Sequence, residues 1–321
     1  MRQTAVLAGI FLLGASAFAA DPQLMNLVMP DAQVMAGVNV TSASISPLGQ
    51  YVLAQIGSND QGLQSFIAST GFDPRHDVTE ILAASSGAAT NRNGLVLAKG
   101  VFDTGKITAL VTGSSNQQVS SYGGATLISG TGPKDDYAVA FLGSSIVVAG
   151  DIASVKAAVD RSTSSNSVNP ELAALVQTLS TTEDAWSVSL ASIGSLIPNI
   201  GAPDKSTATQ TLQLVKNIQS SSGGVKFGAN VEVKAQAVAD TPQNATALAD
   251  LIRMVSSLIS MGAAQDPHAG AAAKLLQSLQ VTTAGSTVNI AASIPESQIE
   301  ALLNTATAKP AVRAPVGRRR L

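Results

Sequence analysis

The sequence contains no cysteine, and it has few aromatic or charged residues. Of its 321 residues, aromatics make up 3% and charged residues 12%, and only two are histidine. Without cysteine there are no disulfide bonds, no thiol chemistry and no soft ligand for zinc. The formal net charge is −2, and no basic face with interleaved aromatics occurs. The composition therefore argues against a nucleic-acid partner.

Apolar residues are abundant, at 45% of the chain. Much of that fraction is alanine, which predicts a core of small side chains under a neutral, polar surface. The length is enough for two domains of about 150 residues each. Stability must come from packing alone.

The N-terminal stretch MRQTAVLAGIFLLGASAFAADPQ has the features of a secretory signal peptide. One arginine precedes an apolar run over 5–13, and Ala17-Phe18-Ala19 fits the small-x-small cleavage rule. The run is shorter than the roughly 20 residues that span a bilayer. We therefore expect residues 1–19 to be removed, no transmembrane segment after cleavage, and a periplasmic or secreted protein beginning at Ala20.

Three short matches recur in the same order in both halves of the chain, which indicates an internal repeat. The matched pairs are 31–35 with 184–188, 102–104 with 239–241, and 143–149 with 285–291. They predict a first unit at 20–165, a linker and helix at 166–183, and a second unit at 184–308. The tail 309–321 has no core-forming pattern, and we expect it to be disordered. Its Arg318-Arg319-Arg320 offers weak contact with anionic surfaces.

Periodicity predicts an α+β fold of two similar sequential units, each a mainly antiparallel sheet with helices packed on one face. In the first unit we expect strands at 34–40 and 95–102, helices at 49–56, 61–69, 78–84 and 106–111, a hairpin 137–142/146–149, and a helix capped by Asp151. In the second we expect one strand at 225–239, a striped helix from Pro242, a short helix at 275–279, a hairpin at 281–292, and a helix from Pro295 carrying Ile299, Leu302 and Leu303.

The segment Gly100–Ile107, GVFDTGKI, resembles a phosphate-binding loop in its Gly-x4-Gly-Lys spacing. Such a loop needs serine or threonine after the lysine to hold magnesium, and this position is Ile107. The matching place in the second half keeps an Asp-Thr pair, Asp240-Thr241, but lacks the glycine and lysine. What the two places share is a helix cap, so we predict that Asp103 and Asp240 are equivalent caps.

The same segment spells Asp103-Thr104-Gly105, an aspartic-protease tripeptide. That chemistry needs two carboxylates sharing one proton, each on a loop facing the other. In the second half proline replaces the glycine and a long helix follows. The pattern therefore favours capping over catalysis.

The densest polar cluster is Gly71-Phe72-Asp73-Pro74-Arg75-His76-Asp77. It has two interpretations: His76 with Asp73 or Asp77 as a base or metal ligand, or a turn in which Asp77 caps a following helix and Arg75 pairs with a carboxylate at the surface. The other histidine, His268, lies in an expected loop. Without cysteine or an H-x-x-x-H spacing, we assign no metal, cofactor or catalytic residue.

The strings TGFDPRHDVTEILAAS and LVLAKGVFD resemble a pattern in exported bacterial proteins of unknown function. In these a Gly-x-Asp-Pro-Arg helix start precedes a strand ending Gly-x-Phe. The resemblance covers 63–111, with a looser similarity in the second half. It implies an exported α+β fold and carries no activity or site residues with it.

The leading interpretation is a non-catalytic envelope protein with a binding or structural role. Its partner would be an envelope protein or a small apolar ligand. The alternative is a periplasmic hydrolase with a dispersed Asp, Ser and His site. A deep pocket joining His76 to carboxylates would favour the enzyme, and an apolar groove would favour ligand binding.

Overall fold

The computed structural model describes residues 19–55, 61–87, 94–112, 116–132, 135–192, 214–262 and 267–300. The strands are β1 (Val34–Asn39), β2 (Val78–Ser85), β3 (Gly94–Gly100), β4 (Gln117–Tyr122), β5 (Ala125–Gly130), β6 (Ala138–Leu142), β7 (Ile146–Gly150), β8 (Ala185–Ser189), β9 (Ile218–Lys226), β10 (Asn230–Ala239), β11 (Gln280–Ala284) and β12 (Thr287–Pro295). The principal helices are α1 (Pro22–Leu27), α2 (Val40–Ser44), α3 (Pro47–Gln55), α4 (Gln61–Thr70), α5 (Pro74–Asp77), α6 (Thr104–Thr112), α7 (Ile152–Arg161), α8 (Pro170–Thr182), α9 (Pro242–Gly262) and α10 (Pro267–Leu276).

All twelve strands form one antiparallel sheet, in the order β11-β12-β10-β9-β8-β1-β2-β3-β7-β6-β5-β4. The predicted α+β class with a mainly antiparallel sheet is confirmed. The two halves of the chain share this sheet and meet where β1 pairs with β8.

The halves have the same strand order outward from that seam. From β1 the neighbours are β2, β3, β7 and β6, and from β8 they are β9, β10, β12 and β11. In each half the third strand leads into a helix, α6 or α9, and a hairpin then returns to lie against the third strand. The first half adds the hairpin β4–β5 at its outer edge.

Helices cover both faces of the sheet in the first half, which corrects the expectation of helices on one face. Paired residues of antiparallel strands share a face, and the face alternates along each strand. One face packs Met35, Leu82 and Val148 against α1, α7 and α8. The opposite face packs Phe102, Ile128 and Phe141 against Ile107 of α6. Because this part of the sheet has apolar side chains on both faces, helices can pack on either side of it.

In the second half, α9 lies on the same face as α6. Ala245, Leu248 and Ala249 of α9 pack against Val288 of β12. This helix is the predicted striped helix from Pro242. By length and composition it is also apolar enough to cross a membrane, with a mean hydropathy of 1.2. Only 17% of its most apolar 18-residue window is buried against the rest of the chain, and the predicted absence of a transmembrane segment stays a prediction.

Several predicted elements are confirmed. These are the strand β1, the helices α3 and α4, the strand–helix pair β3–α6, the hairpins β6–β7 and β11–β12, and the capped helix α7. Asp151 Oδ1 accepts the Ser154 N–H at 2.8 Å. Gly143 and Gly285, at the two hairpin turns, have φ of 67° and 57°, which suits glycine.

Other predictions were wrong. Residues 78–84, expected as a helix, form β2, because they pair with both β1 and β3 and place Leu82 and Ala84 on the buried face of the sheet. The single strand 225–239 is divided between β9 and β10 by a turn at 227–229. The hairpin β4–β5 was not predicted. His268, expected in a loop, lies in the first turn of α10.

The segment predicted as linker and helix, 166–183, is an integral part of the fold. The Asn166 side chain donates to the Val28 carbonyl at 2.6 Å and to that of Asn26 at 3.1 Å. Leu172 and Val176 of α8 are buried in the main core. Residues 296–300 begin the predicted last helix. Its Leu302 and Leu303, residues 1–18 of the predicted signal peptide and the predicted tail 309–321 lie outside the described residues.

Candidate functional site

The predicted polar cluster lines a cleft of about 550 Å³ between α2, α3 and α5. The lining residues are Val40, Thr41, Ser44, Gln50, Leu53, Ala54, Arg75, His76 and Val78. One part of this wall is cationic and hydroxylic, and the other is aliphatic. The cleft therefore suits a ligand of mixed polarity.

Contacts between residues near in sequence hold α2 and α3 close together. Asn39 Oδ1 accepts the Ser42 N–H at 2.8 Å and caps α2, and Ser46 Oγ accepts the Gly49 N–H at 2.9 Å. A Cβ at position 49 would lie 1.9 Å from the Ala43 carbonyl oxygen. Only glycine allows the two helices to approach this closely.

Asp73 holds Arg75 in a two-point ion pair. Asp73 Oδ1 accepts from Arg75 Nε at 2.9 Å, and Oδ2 accepts from Nη2 at 2.7 Å. The hydrogen bonds from the Arg75 side chain are the main reason that the pKa of Asp73 is lowered to about 2. The Asp73 carboxyl is therefore ionised at neutral pH and is a poor base. The predicted surface pairing of Arg75 is observed with this carboxylate.

Asp77 is also committed to the turn. Its Oδ2 accepts the Asp73 N–H at 2.7 Å, so it closes α5 and does not cap a following helix as predicted. Gly71 ends α4 with φ of 73°. The His76 side chain is 78% exposed, with Nε2 4.0 Å from Asp73 Oδ2. The structure therefore brings Arg75 and His76 to the cleft, and both carboxylates serve the loop.

The Gly100–Ile107 segment is a strand end followed by a capped helix. Asp103 Oδ1 accepts the Lys106 N–H at 3.0 Å, and this bond is the main reason that the pKa of Asp103 is lowered. Ile107 is buried with Phe102, at the position where a phosphate loop would place its magnesium ligand. The predicted cap at Asp103 is confirmed.

The predicted equivalent cap at Asp240 was wrong. Thr241 Oγ1 accepts the Asn244 N–H at 3.2 Å, whereas Asp240 Oδ1 accepts from the Asn244 side-chain amide. Because Pro242 begins α9 right after Thr241, the threonine stands where its hydroxyl reaches the first turn.

We expect Thr241→Ala to lower the free energy of unfolding by about 0.5–2 kcal/mol, and Asp240→Ala to lower it less. At the other cap, Asp103→Ala should lower the urea midpoint more than Asp103→Asn, because asparagine also accepts N–H bonds. Urea melts of these variants test both statements. Equal losses at positions 240 and 241 would contradict the assignment of the cap.

We expect ATP to leave the melting temperature unchanged, and Lys106→Ala to be nearly neutral. Lys106 Nζ lies 3.3 Å from Asp103 Oδ2, and its side chain is 61% exposed. A ligand at one hundred times its dissociation constant would add about 2.7 kcal/mol to stability, which a thermal melt detects. A shift with ATP that disappears in the Lys106 variant would refute this expectation.

Two buried carboxylates were missed by sequence reasoning, Glu183 and Asp184. The Asp184 side chain is 3% exposed and Oδ1 accepts from Lys226 Nζ at 2.7 Å. It also accepts from Ser42 Oγ at 2.5 Å and, through Oδ2, from the Phe227 N–H at 2.8 Å. Glu183 Oε1 lies 3.5 Å from Lys234 Nζ. An acidic pair between α8 and β8 was the only local signal.

These side chains do not make a catalytic centre. Ser42 and Lys226 both donate to one oxygen of Asp184, so the serine hydroxyl is committed to this carboxylate. The lining of the neighbouring cleft includes Thr41 and Ser44 and leaves Ser42 out. Within the described ranges, no group of three or more His, Asp or Glu residues is placed to hold a metal ion.

A second concavity of about 1060 Å³ lies at one end of the sheet. Ala83, Val96 and Ala149 are part of its apolar lining, and Asp135 and Asp136 are among its polar lining residues. Val96 is 50% exposed. This concavity is open to solvent, and an apolar ligand could bind against its apolar lining.

No protein-family model matches the chain, and no curated protein sequence matches it. Among solved structures, the chain is similar to crystal form I of TP0453, a Treponema protein, with a TM-score of 0.50 and 10% sequence identity. The match covers 88% of this chain and 97% of that one. Crystal form IV of the same protein gives a TM-score of 0.49. At this identity the similarity concerns the fold alone.

Proposed function

We propose that the protein is an exported, non-catalytic binding protein of the cell envelope, and that the cleft beside Arg75 and His76 holds a small ligand of mixed polarity. The observation that carries this proposal is the composition of the wall. A guanidinium, which Asp73 pairs, and an imidazole stand with two hydroxyls beside aliphatic groups that include Leu53, and no carboxylate is among the described residues that line the cleft. Such a wall suits an apolar molecule with an anionic or hydrogen-bond-accepting group.

Export is supported by the N-terminal sequence pattern. The apolar run ends in the small residues of a cleavage site, and we propose that the mature chain begins at Ala20. Intact-mass measurement of the protein from its own cells tests this step. A folded, membrane-bound form that retains the first 18 residues would contradict it.

We also propose that the halves are copies of one ancestral unit. The three sequence matches lie at corresponding places: the starts of β1 and β8, the ends of β3 and β10, and the turns before β7 and β12. The shared strand order supports the same proposal, and on this proposal the caps differ because the copies have diverged.

The ligand is tested by native mass spectrometry of protein purified from its own envelope. Leu53→Glu places a carboxylate in the cleft and should abolish a bound mass. The matched control is Val52→Glu, the same change on the neighbouring residue of α3. The Val52 side chain is 41% exposed and does not line the cleft. Retention of the bound mass in Leu53→Glu would show that the ligand sits elsewhere, and absence of any bound mass would oppose the proposal.

A further inference from the structure

The chain segment that follows the predicted cleavage site is bound tightly to the body of the protein. The Ala20 N–H donates to Ser180 Oγ at 2.9 Å, and Ser180 is 6% exposed near the end of α8. The Asp21 N–H donates to both oxygens of Glu80, at 3.1 and 3.3 Å. Two consecutive backbone nitrogens are therefore received by side chains from α8 and β2.

Asp21 continues this attachment with its side chain. Oδ1 accepts the Gln23 N–H at 2.8 Å and caps α1, and Oδ2 pairs with Lys99 of β3. Directly downstream, Leu24 and Val28 are fully buried in the main core. The core thus begins four residues after the proposed first residue.

The charges at this site are unbalanced in the uncleaved chain. Glu80 and Asp21 contribute two carboxylates, and Lys99 pairs with Asp21 and acts on Glu80 only through its charge. Burial is the main reason that the pKa of Glu80 is raised, and the hydrogen bond from the Asp21 N–H and the charge of Lys99 offset it only in part. One further positive charge would balance the second carboxylate.

We propose that Ser180 and Glu80 form a receptor site for the free α-ammonium group of Ala20, so that removal of the leader completes the fold. This inference rests on the export proposed above. A leader peptidase hydrolyses the Ala19–Ala20 bond; water supplies the hydroxyl of the new Ala19 carboxylate and one hydrogen to the Ala20 nitrogen. The amine then takes a proton and becomes an ammonium group with three donors and a positive charge.

The geometry supports this assignment. The Ala20 nitrogen already lies at Ser180 Oγ, and adjacent Cα atoms are about 3.8 Å apart, so the new charge stands within one residue of the nitrogen that Glu80 binds. An ammonium there keeps the existing hydrogen bond and adds attraction to a partly desolvated carboxylate. Any preceding residue turns this nitrogen into an uncharged amide and moves the terminal charge at least one residue away.

The test compares purified chains that begin at Ala20 with chains carrying Gly-Ser before Ala20. In the first, we expect the pKa of the α-amino group, measured by NMR, to lie above its ordinary value of about 7.7–8.0. We also expect its urea midpoint at neutral pH to exceed that of the extended chain. Glu80→Gln should remove most of both differences, and Glu171→Gln, an exposed acid in the first turn of α8, should leave them.

If Glu80→Gln does not fold, Ser180→Ala serves as the second variant and should reduce the same differences. An ordinary pKa together with equal midpoints would overturn the receptor site. Intact mass of the native protein decides the export proposal separately, because a native start elsewhere would overturn the processing without altering the measured behaviour of the amine.

Discussion

Asp184→Ala is expected to lower the free energy of unfolding by about 1–3 kcal/mol, the usual cost of leaving buried hydrogen-bond donors without their acceptor. The Asp184 side chain is 3% exposed and joins three parts of the fold: Ser42 of α2, Lys226 of β9 and the Phe227 N–H. The variant leaves the Ser42 hydroxyl and the Phe227 N–H without their acceptor. Urea denaturation measures the loss.

Asp250→Ala is the control, because Asp250 pairs with Arg253 at an exposed site on α9. Its cost should be about 0–1 kcal/mol. Similar losses for the two variants would contradict the role given to Asp184 at the seam.

Acid should weaken the same contact. Burial acts to raise the pKa of Asp184, but the hydrogen bonds from Lys226, Ser42 and the Phe227 N–H outweigh it, and the net pKa is lowered. A lowered folded pKa gives stability that is present above the unfolded value of about 3.9 and is lost as pH falls through the folded pKa. Asp184→Asn should therefore be less sensitive than the parent to pH below about 4.

Trp186→Ala is expected to lower the free energy of unfolding by about 3–5 kcal/mol, as for other buried large aromatics. Trp186 is the only tryptophan and is 6% exposed on β8. It lies across Gly37 of β1, where an added Cβ would stand 2.4 Å from Cζ2 of the ring. Removing the indole leaves a cavity at the seam that backbone pairing prevents from collapsing.

Gly37→Ala should also lower the free energy of unfolding, because the added methyl group displaces the indole ring of Trp186. Val119→Ala, on the exposed edge strand β4, is the control and should cost much less. Denaturant melts compare the three variants, and a neutral Gly37→Ala would show that the ring is not held against the glycine.

Elements with a local signal were predictable. The hairpin turn at Gly143, the cap at Asp151 and the apolar stripe of α9 each depend on a few neighbouring residues. Residues 78–84 were not, since VTEILAA contains good helix formers and its strand state depends on pairing with two other strands. The hairpin β4–β5 is polar on its outer strand, and Gly123-Gly124 was its only local signal.

The candidate site divides in the same way. The Asp73–Arg75 pair joins residues two apart, and the sequence predicted a pairing of Arg75 with either Asp73 or Asp77. The opposite wall of the cleft depends on how α2 and α3 pack, which no local pattern encodes. The Ser42–Asp184 contact joins residues 142 positions apart, so only the folded chain reveals it.

The β1–β8 seam also has a consequence for how the protein is made. The chain is synthesised from its N-terminus, so β1 can pair with β2 long before β8 is available. Until then, one edge of β1 has no partner in the growing chain. Its sequence, VMAGVN, carries no charge or proline to discourage pairing with other chains. Closing the seam brings together distant segments, which is a slow step. During synthesis we therefore expect this half-formed sheet to be the species most in need of a chaperone.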